Sequence, residues 1–489
     1  MKLYNGDCLE TMKTLPSESY TACVTDPPYG LSNQITGDKF IELLKYWTGE
    51  KEDFKTSKGF MSKTWDSLVP HPNIWKEVSR ILKPGGYCLV FAGTRTVDLM
   101  GMSLRLAGFE LIDEISWCYG SGFPKSLDIG KAIDKHFKAE REIVGIKENN
   151  PSRFIKYKEQ DGYRRNFSND NITKPSTEQA KIWEGYKTCL KPSHEPILIC
   201  RKPIDGNFVN NALKHGCGAF NIDECRVELN NEVIIKYDNG DYENSDKRTC
   251  LNKGLKDIKY WENKKGRYPS NLIIEDCPEV ASMFPYTKTG GAAKTRTVKD
   301  NFFKGKKPFI GNDWNGGDEG SASRYFKKCP IDDDDYLPIF YSSKASPKER
   351  NIGLDGFVEK EAKSTNFYDL PRENGTNRNI TKKRNSHPTV KPISLIQYLV
   401  KLVKQPENNQ IIDPFMGSGT TGIACKKEGI EFTGIEMESE YFEIAKARIE
   451  NYTDKSTPKS ANIEQMEITP DKIFSAEKKS QKNQLELFG

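Results

Sequence analysis

Ile411-Ile412-Asp413-Pro414-Phe415-Met416-Gly417-Ser418-Gly419-Thr420-Thr421-Gly422 is the stretch that decides the fold. Its aliphatic pair and acid read as the end of a buried strand, its glycines as a turn, and Ile423 to Lys427 as the opening of a helix. Phe432-Thr433-Gly434-Ile435-Glu436 is the next strand, ending on an acid nineteen positions beyond Gly417. Gly417, Gly419 and Gly422 spell G-x-G-x-x-G, which alone is equally a tight strand-to-helix turn. In this context the glycines let the backbone approach a cofactor, and Glu436 can accept both hydroxyl protons of an adenosine ribose. Dinucleotides and S-adenosylmethionine share that fingerprint, so a nicotinamide-dependent oxidoreductase stays open here. Asp413 favours S-adenosylmethionine, because an acid beside the turn suits a sulfonium and an amino group better than a pyrophosphate.

Far upstream, Thr25-Asp26-Pro27-Pro28-Tyr29-Gly30 closes the apolar run Tyr20-Thr21-Ala22-Cys23-Val24. Two prolines fix φ at about −65° and remove two donors, so Asp26 and Tyr29 sit on a stiff backbone. Read alone, this stiff turn fits a reactive site and also a plain surface turn. Around it, helices are expected through Leu9, Met12 and Leu15, over Ile74 to Leu82 and over Val97 to Ala107, with strands at Tyr87 to Phe91, Phe109 to Trp117 and Glu195 to Cys200. Strands alternating with helices predict an α/β fold with a mostly parallel sheet. Leu31 to Asp66 has little periodicity and reads as a functional loop, and Lys83-Pro84-Gly85-Gly86 as a helix stop.

The chain has 489 residues, long enough for about three domain-sized units. Lys plus Arg number 74 against 69 Asp plus Glu, so an anionic partner must be met by local patches. Twelve scattered cysteines without a C-x-x-C pair, and an N-terminus without the apolar run of a signal peptide, predict a cytoplasmic protein with reduced thiols and no metal site. A mean hydropathy of −0.70 and the lack of an apolar run of about 18 residues argue against a membrane span.

Composition shifts after Lys202-Pro203, dividing the chain into 1–203, a module at 204–385, a further α/β portion at 386–453 and a polar tail at 454–489. Lys294, Arg296, Lys299, Lys304, Lys306 and Lys307 surround Phe302 and Phe303, a pattern of phosphate contacts with stacking surfaces that also fits a solvated loop. Arg372, Arg378, Lys382, Lys383 and Arg384 add a second basic stretch, favouring nucleic acid. Gln484-Leu485-Glu486-Leu487-Phe488 resembles the peptides that dock in a bacterial sliding clamp.

With the glycine stretch and D-P-P-Y both present, the chain resembles the DNA methyltransferases that act on adenine N6 or cytosine N4, over Leu3 to about Pro203 and Ser386 to Ile449. The motif order resembles that family's β arrangement. The resemblance implies a Rossmann-like sheet with one antiparallel strand, in which the two motifs end neighbouring strands, and a target-recognition region inserted between them. It implies that Asp413, Phe415, Gly417, Gly419, Thr420 and Glu436 hold S-adenosylmethionine, that Asp7 reaches its adenine, and that Asp26, Pro27, Pro28 and Tyr29 hold the target base. His387, Thr389 and Lys391 match the family's H-P-T-x-K-P segment beside the methionine end of the cofactor.

An exocyclic amine is a poor nucleophile because its lone pair is delocalised into the ring. Asp26 and the Pro27 carbonyl can accept its N–H bonds and aim the lone pair at a methyl group, while Tyr29 offers a face for a flipped base. Asp at the first motif position is usual in the adenine enzymes of the family and Ser in the cytosine enzymes, so the resemblance implies adenine N6, with cytosine N4 the alternative. Double-stranded DNA is the expected partner and a homodimer a further expectation, in the setting of a restriction-modification system. Cys23 and Cys425 beside the motifs are expected to be core packing.

Overall fold

The computed structural model describes residues 1–31, 35–55, 66–120, 126–146, 171–227, 234–237, 260–263, 266–276, 280, 283–288, 319–330, 345–362 and 381–453. Nine strands form the central sheet among them: β1 (Lys2–Asn5), β2 (Tyr20–Thr25), β3 (Leu82–Phe91), β4 (Glu110–Cys118), β5 (His194–Arg201), β6 (Leu272–Asp276), β7 (Lys327–Pro330), β8 (Gln410–Asp413) and β9 (Glu431–Glu436). Their spatial order is β1-β9-β8-β2-β3-β5-β4-β6-β7. Every neighbouring pair is parallel except those made by β5, which runs antiparallel to both β3 and β4. The expected fold class is thus the observed one.

Side chains alternate across the central strands and feed two cores. Ala22, Val24, Leu89 and Phe91 pack with α5 (Ile393–Val403), α6 (Thr420–Lys427) and α7 (Ser439–Asn451) on one face. Cys23, Cys88 and Val90 pack on the other with Met12, Trp75, Val78, Met100 and Leu104, carried by three helices of the N-terminal half, α1 (Cys8–Lys13), α3 (Pro72–Ile81) and α4 (Val97–Leu106). Strands covered on both faces explain why β2, β3 and β8 read as nearly continuous apolar runs. Cys23 and Cys425 are buried, and burial holds the Cys425 thiol far above its usual range, which leaves it an inert core residue.

The chain departs from its sequence reading in three places. Within the expected 31–66 loop lies a helix, α2 (Asp38–Thr48), whose Leu43 and Trp47 are buried one turn apart and whose Phe40, Leu44 and Tyr46 pack against the same core. The helix stops at Ile81 ahead of Lys83 to Gly86 as expected, but that stretch already belongs to β3, where Gly85 takes a φ of 79° and its N–H bonds to the Lys202 carbonyl at 3.1 Å. Finally, β6 and β7 come from the 204–385 stretch and continue the sheet in parallel beyond β4, so that stretch supplies part of the core as well as its own short hairpins.

Close helix-to-sheet approach depends on the third glycine of the turn motif. A Cβ on Gly422 would lie 2.4 Å from Ile449 Cδ1 and 2.9 Å from Phe432 Cε1. Gly422→Ala is therefore expected to cost roughly 1–3 kcal/mol by overpacking, a lowered melting temperature that thermal unfolding would record; an unchanged one would contradict this packing.

Candidate active site

The sheet places the C-terminal ends of β8 and β2 side by side, at the point where the chain's order across the sheet reverses. There Thr25 Oγ1 donates to Asp413 Oδ1 at 2.6 Å, joining residues 388 apart in the chain. Thr421 Oγ1 donates to Asp413 Oδ2 at 2.7 Å and the Phe415 N–H to Oδ1 at 3.0 Å. Burial pushes the Asp413 carboxyl up to about 6, against the pull of those three donors. This acid therefore ties the two motifs together.

The D-P-P-Y-G turn is held from both sides. Asp66 Oδ1 accepts the N–H groups of Tyr29 and Gly30 at 3.1 and 3.3 Å, and Thr96 Oγ1 donates to the Tyr29 carbonyl at 2.6 Å. Gly30 turns with a φ of 63° and comes so close to Leu68 and Val69 that a Cβ would clash with their backbone. Fixed in this way, Asp26 accepts the Tyr29 hydroxyl on Oδ1 at 2.8 Å and the Lys391 ammonium on Oδ2.

Lys391 is nearly fully buried, with its Nζ 3.2 Å from the Tyr29 hydroxyl and 4.7 Å from the centre of the Phe91 ring. Burial lowers its pKa while Asp26 opposes the shift. Burial and then the Asp26 charge raise Tyr29, keeping the phenol protonated. Glu195, at the start of β5, brings its Oε2 to 3.3 Å from the Tyr29 hydroxyl and 3.7 Å from Lys391 Nζ. Two carboxylates, one ammonium and one phenol thus converge where β2 ends.

On the β9 side, Glu436 accepts the Gly417 N–H on Oε2 and the Glu438 N–H on Oε1, both at 2.9 Å. Burial pushes its carboxyl up to about 7. Gly417 adopts a φ of 54°, and a Cβ there would lie 2.9 Å from His387 Nε2. His387 Nδ1 is 2.6 Å from the Thr389 carbonyl, and burial pushes the ring down to about 4, so it is neutral at pH 7. Below the turn, buried Arg448 donates to the Ser418 carbonyl at 2.5 Å and its hydroxyl at 2.9 Å, bracing the loop. Asp7 caps the first helix by accepting the Glu10 N–H at 3.0 Å, and the Gly6 N–H bonds the Glu436 carbonyl at 3.0 Å, so Asp7 borders the Glu436 end of β9. The Phe415 ring leans on Trp75, and Thr420 opens α6 behind the turn.

A family model described as DNA methylase matches residues 20–447. The chain belongs to the DNA methylase family. Type II methyltransferase M2.DpnII of Streptococcus pneumoniae is 38% identical over 104 residues, 19% of this chain and 38% of that protein. Type II methyltransferase M.HinfI of Haemophilus influenzae is 37% identical over 90 residues, 18% of this chain and 24% of its own length. The matched segments therefore span well under half of these relatives. Among solved structures, M1.HpyAVI in complex with SAM aligns with 92% of this chain and 98% of its own at 14% identity, with a TM-score of 0.31.

In this DNA methylase the residues expected at one site do meet: Asp26 and Tyr29 from one motif, Asp413 and Glu436 from the other, and Lys391 from the H-P-T-x-K-P segment. Lys391 Nζ lies on Asp26, in the D-P-P-Y turn, and not beside the glycine turn. Thr25 heads the D-P-P-Y turn without a role being read for it, while three partners carry no motif and escape a reading of the sequence: Asp66, Thr96 and Glu195. Only Glu195 leaves a signal there, as an acid heading an otherwise apolar strand. Of the expected DNA contacts, Arg384 is described and pairs with Asp355 at 3.3 Å; Lys382 and Lys383 lie in a short strand, Thr381–Lys383. Lys294, Arg296, Lys299, Lys304, Lys306, Lys307, Arg372 and Arg378, with the clamp-like Gln484 to Phe488, lie outside the described residues. Among the described residues no helix is long and apolar enough to cross a membrane, and no cluster of acids, His and Cys could hold a metal ion.

Proposed function

We propose that this chain methylates N6 of an adenine flipped out of double-stranded DNA, using S-adenosylmethionine, within a restriction-modification setting. The observation that carries the reading is the Thr25–Asp413 hydrogen bond, which sets the base-holding turn against the cofactor turn. The residues suit the cofactor. Glu436 is fixed by two backbone donors at the end of β9, a carboxylate suited to ribose hydroxyls, and the glycine turn is shaped by His387 and Arg448. Asp7 would reach the adenine ring, and the Asp413 charge would favour the cationic end. When bound, S-adenosylmethionine supplies a methyl carbon whose S–C electron pair stays on sulfur as the new N–C bond forms.

The protein's own part is to prepare the amine. Asp26 accepts one N–H bond and the Pro27 carbonyl another, drawing the nitrogen toward a tetrahedral geometry with its lone pair exposed. Tyr29 would stack on the flipped base, worth roughly 1–3 kcal/mol. After transfer the aminium passes one proton to Asp26 and on to water. The Asp26 turn has no role in a nicotinamide oxidoreductase, which weighs against that reading. Asp26 in place of Ser supports adenine, by family resemblance; cytosine N4 remains the second reading.

The proposed partners follow from this reading: duplex DNA met by the basic stretches around Lys294 to Lys307 and Arg378 to Arg384, a sliding clamp met by Gln484 to Phe488, and a second copy of the chain. The proposed setting is the cytoplasm. Tritium from methyl-labelled S-adenosylmethionine is expected in duplex DNA and not in RNA of the same sequence; label in RNA alone would overturn the DNA reading.

A further inference from the structure

Asp26 and Lys391 form an ion pair of no net charge, which is an odd environment for a reaction that turns a neutral amine into a cation. Glu195 changes the sum. Its carboxylate, 11% exposed, reaches both groups that touch Asp26, the Tyr29 hydroxyl at 3.3 Å and Lys391 Nζ at 3.7 Å. It comes from the antiparallel strand β5, whose pairing with β3 fixes Ile197 opposite Phe91, and Phe91 is the ring beneath the Lys391 ammonium. The placement is therefore built into the sheet. Burying a second carboxylate beside the first costs solvation and repulsion, which the shared ammonium and phenol offset only in part. Such an arrangement persists where the charge is used.

We infer that Glu195 is a positioning residue for methyl transfer, orienting Lys391 and Tyr29 around Asp26 and leaving Asp26, Glu195 and Lys391, counted among the described residues, with one net negative charge facing the acceptor nitrogen. The inference rests on the methyltransferase reading and deepens it. As the nitrogen lone pair forms its bond to the methyl carbon, positive charge grows on nitrogen; it vanishes when one N–H proton passes to Asp26. A net negative cluster stabilises the first stage, and an electrically neutral one does not.

Glu195→Gln keeps the shape and removes the charge, so kcat for duplex DNA is expected to fall roughly 30- to 100-fold, with KM for DNA and the cofactor dissociation constant within about threefold. Glu195→Asp, which keeps the charge, is expected to recover much of the loss. A second readout needs no turnover. In the protein labelled with [ε-13C]lysine, the Lys391 signal, identified by its loss in Lys391→Arg, is faced by Asp26, Glu195 and Tyr29, with Asp413 farther off. Its titration should move to lower pH in Glu195→Gln by about one unit. Wild-type kcat in Glu195→Gln, or an unmoved Lys391 titration, overturns the inference while leaving the methyltransferase reading intact; a wild-type protein that methylates no DNA overturns both.

Discussion

Replacing Asp26 by alanine is expected to lower kcat for methyl transfer by about a hundred- to a thousandfold, the size of effect seen when one positioned hydrogen-bonding partner of a developing charge is removed. The loss has two parts. The acceptor amine loses the carboxylate that draws it toward a tetrahedral geometry, and Lys391 loses its closest counter-charge while still buried. Cofactor affinity is expected to stay within about threefold, since Glu436, Gly417 and the Asp413 network hold without Asp26. Single-turnover transfer together with calorimetric cofactor binding separates these. Unchanged turnover would remove Asp26 from the chemistry, and equal loss of binding and turnover would make it a cofactor residue.

The second large effect belongs to Glu436. Charge-assisted hydrogen bonds contribute about 1.5–3 kcal/mol each, so Glu436→Gln, which no longer accepts from both ribose hydroxyls, is expected to weaken S-adenosylmethionine binding roughly a hundredfold or more. The wild-type protein should show the same dependence through pH. Its carboxyl, pushed up to about 7 by burial, must be ionised to accept two protons' hydrogen bonds, so affinity is expected to fall as pH drops below 7. Titration calorimetry between about pH 8 and 6 would read this; a pH-independent affinity would contradict it.

The sign for stability is opposite. A folded pKa raised from 4.5 to about 7 contributes stability that is complete below 4.5 and lost as pH rises through about 7. Glu436→Gln should therefore leave the unliganded protein as stable at pH 8, or more so, while it loses the cofactor. A site residue that disfavours the fold when ionised is the usual exchange of stability for binding.

Local chemistry was readable ahead of the structure wherever one short segment carries it. The strand, glycine turn and acid from Ile411 to Glu436, and the rigid Asp26-Pro27-Pro28-Tyr29 turn, each announce a backbone need and a charge, and they lie on adjacent parallel strands as expected. What could not be read is what reaches these groups from elsewhere. Asp66, Thr96 and Glu195 are single polar residues that acquire meaning only when the sheet brings them to Tyr29 and Lys391. The helix around Leu43 and Trp47 does carry a helical period, Phe40, Leu43, Leu44 and Trp47, but the period is short and lies inside a polar stretch that reads as a loop. Likewise, nothing in Leu272 to Asp276 or Lys327 to Pro330 distinguishes a short hairpin strand from one that extends the main sheet. Pairing partners decide that, and they are distant in the chain.

The central claim is that two motifs 388 residues apart, joined through Thr25 and Asp413, make one site for methylating an adenine amine. Nucleoside mass spectrometry of duplex DNA incubated with this protein and S-adenosylmethionine tests it most directly. N6-methyladenine in the digest, lost with Asp26→Ala, is the predicted result; N4-methylcytosine as the sole modified nucleoside, or no methylated nucleoside at all, would contradict it.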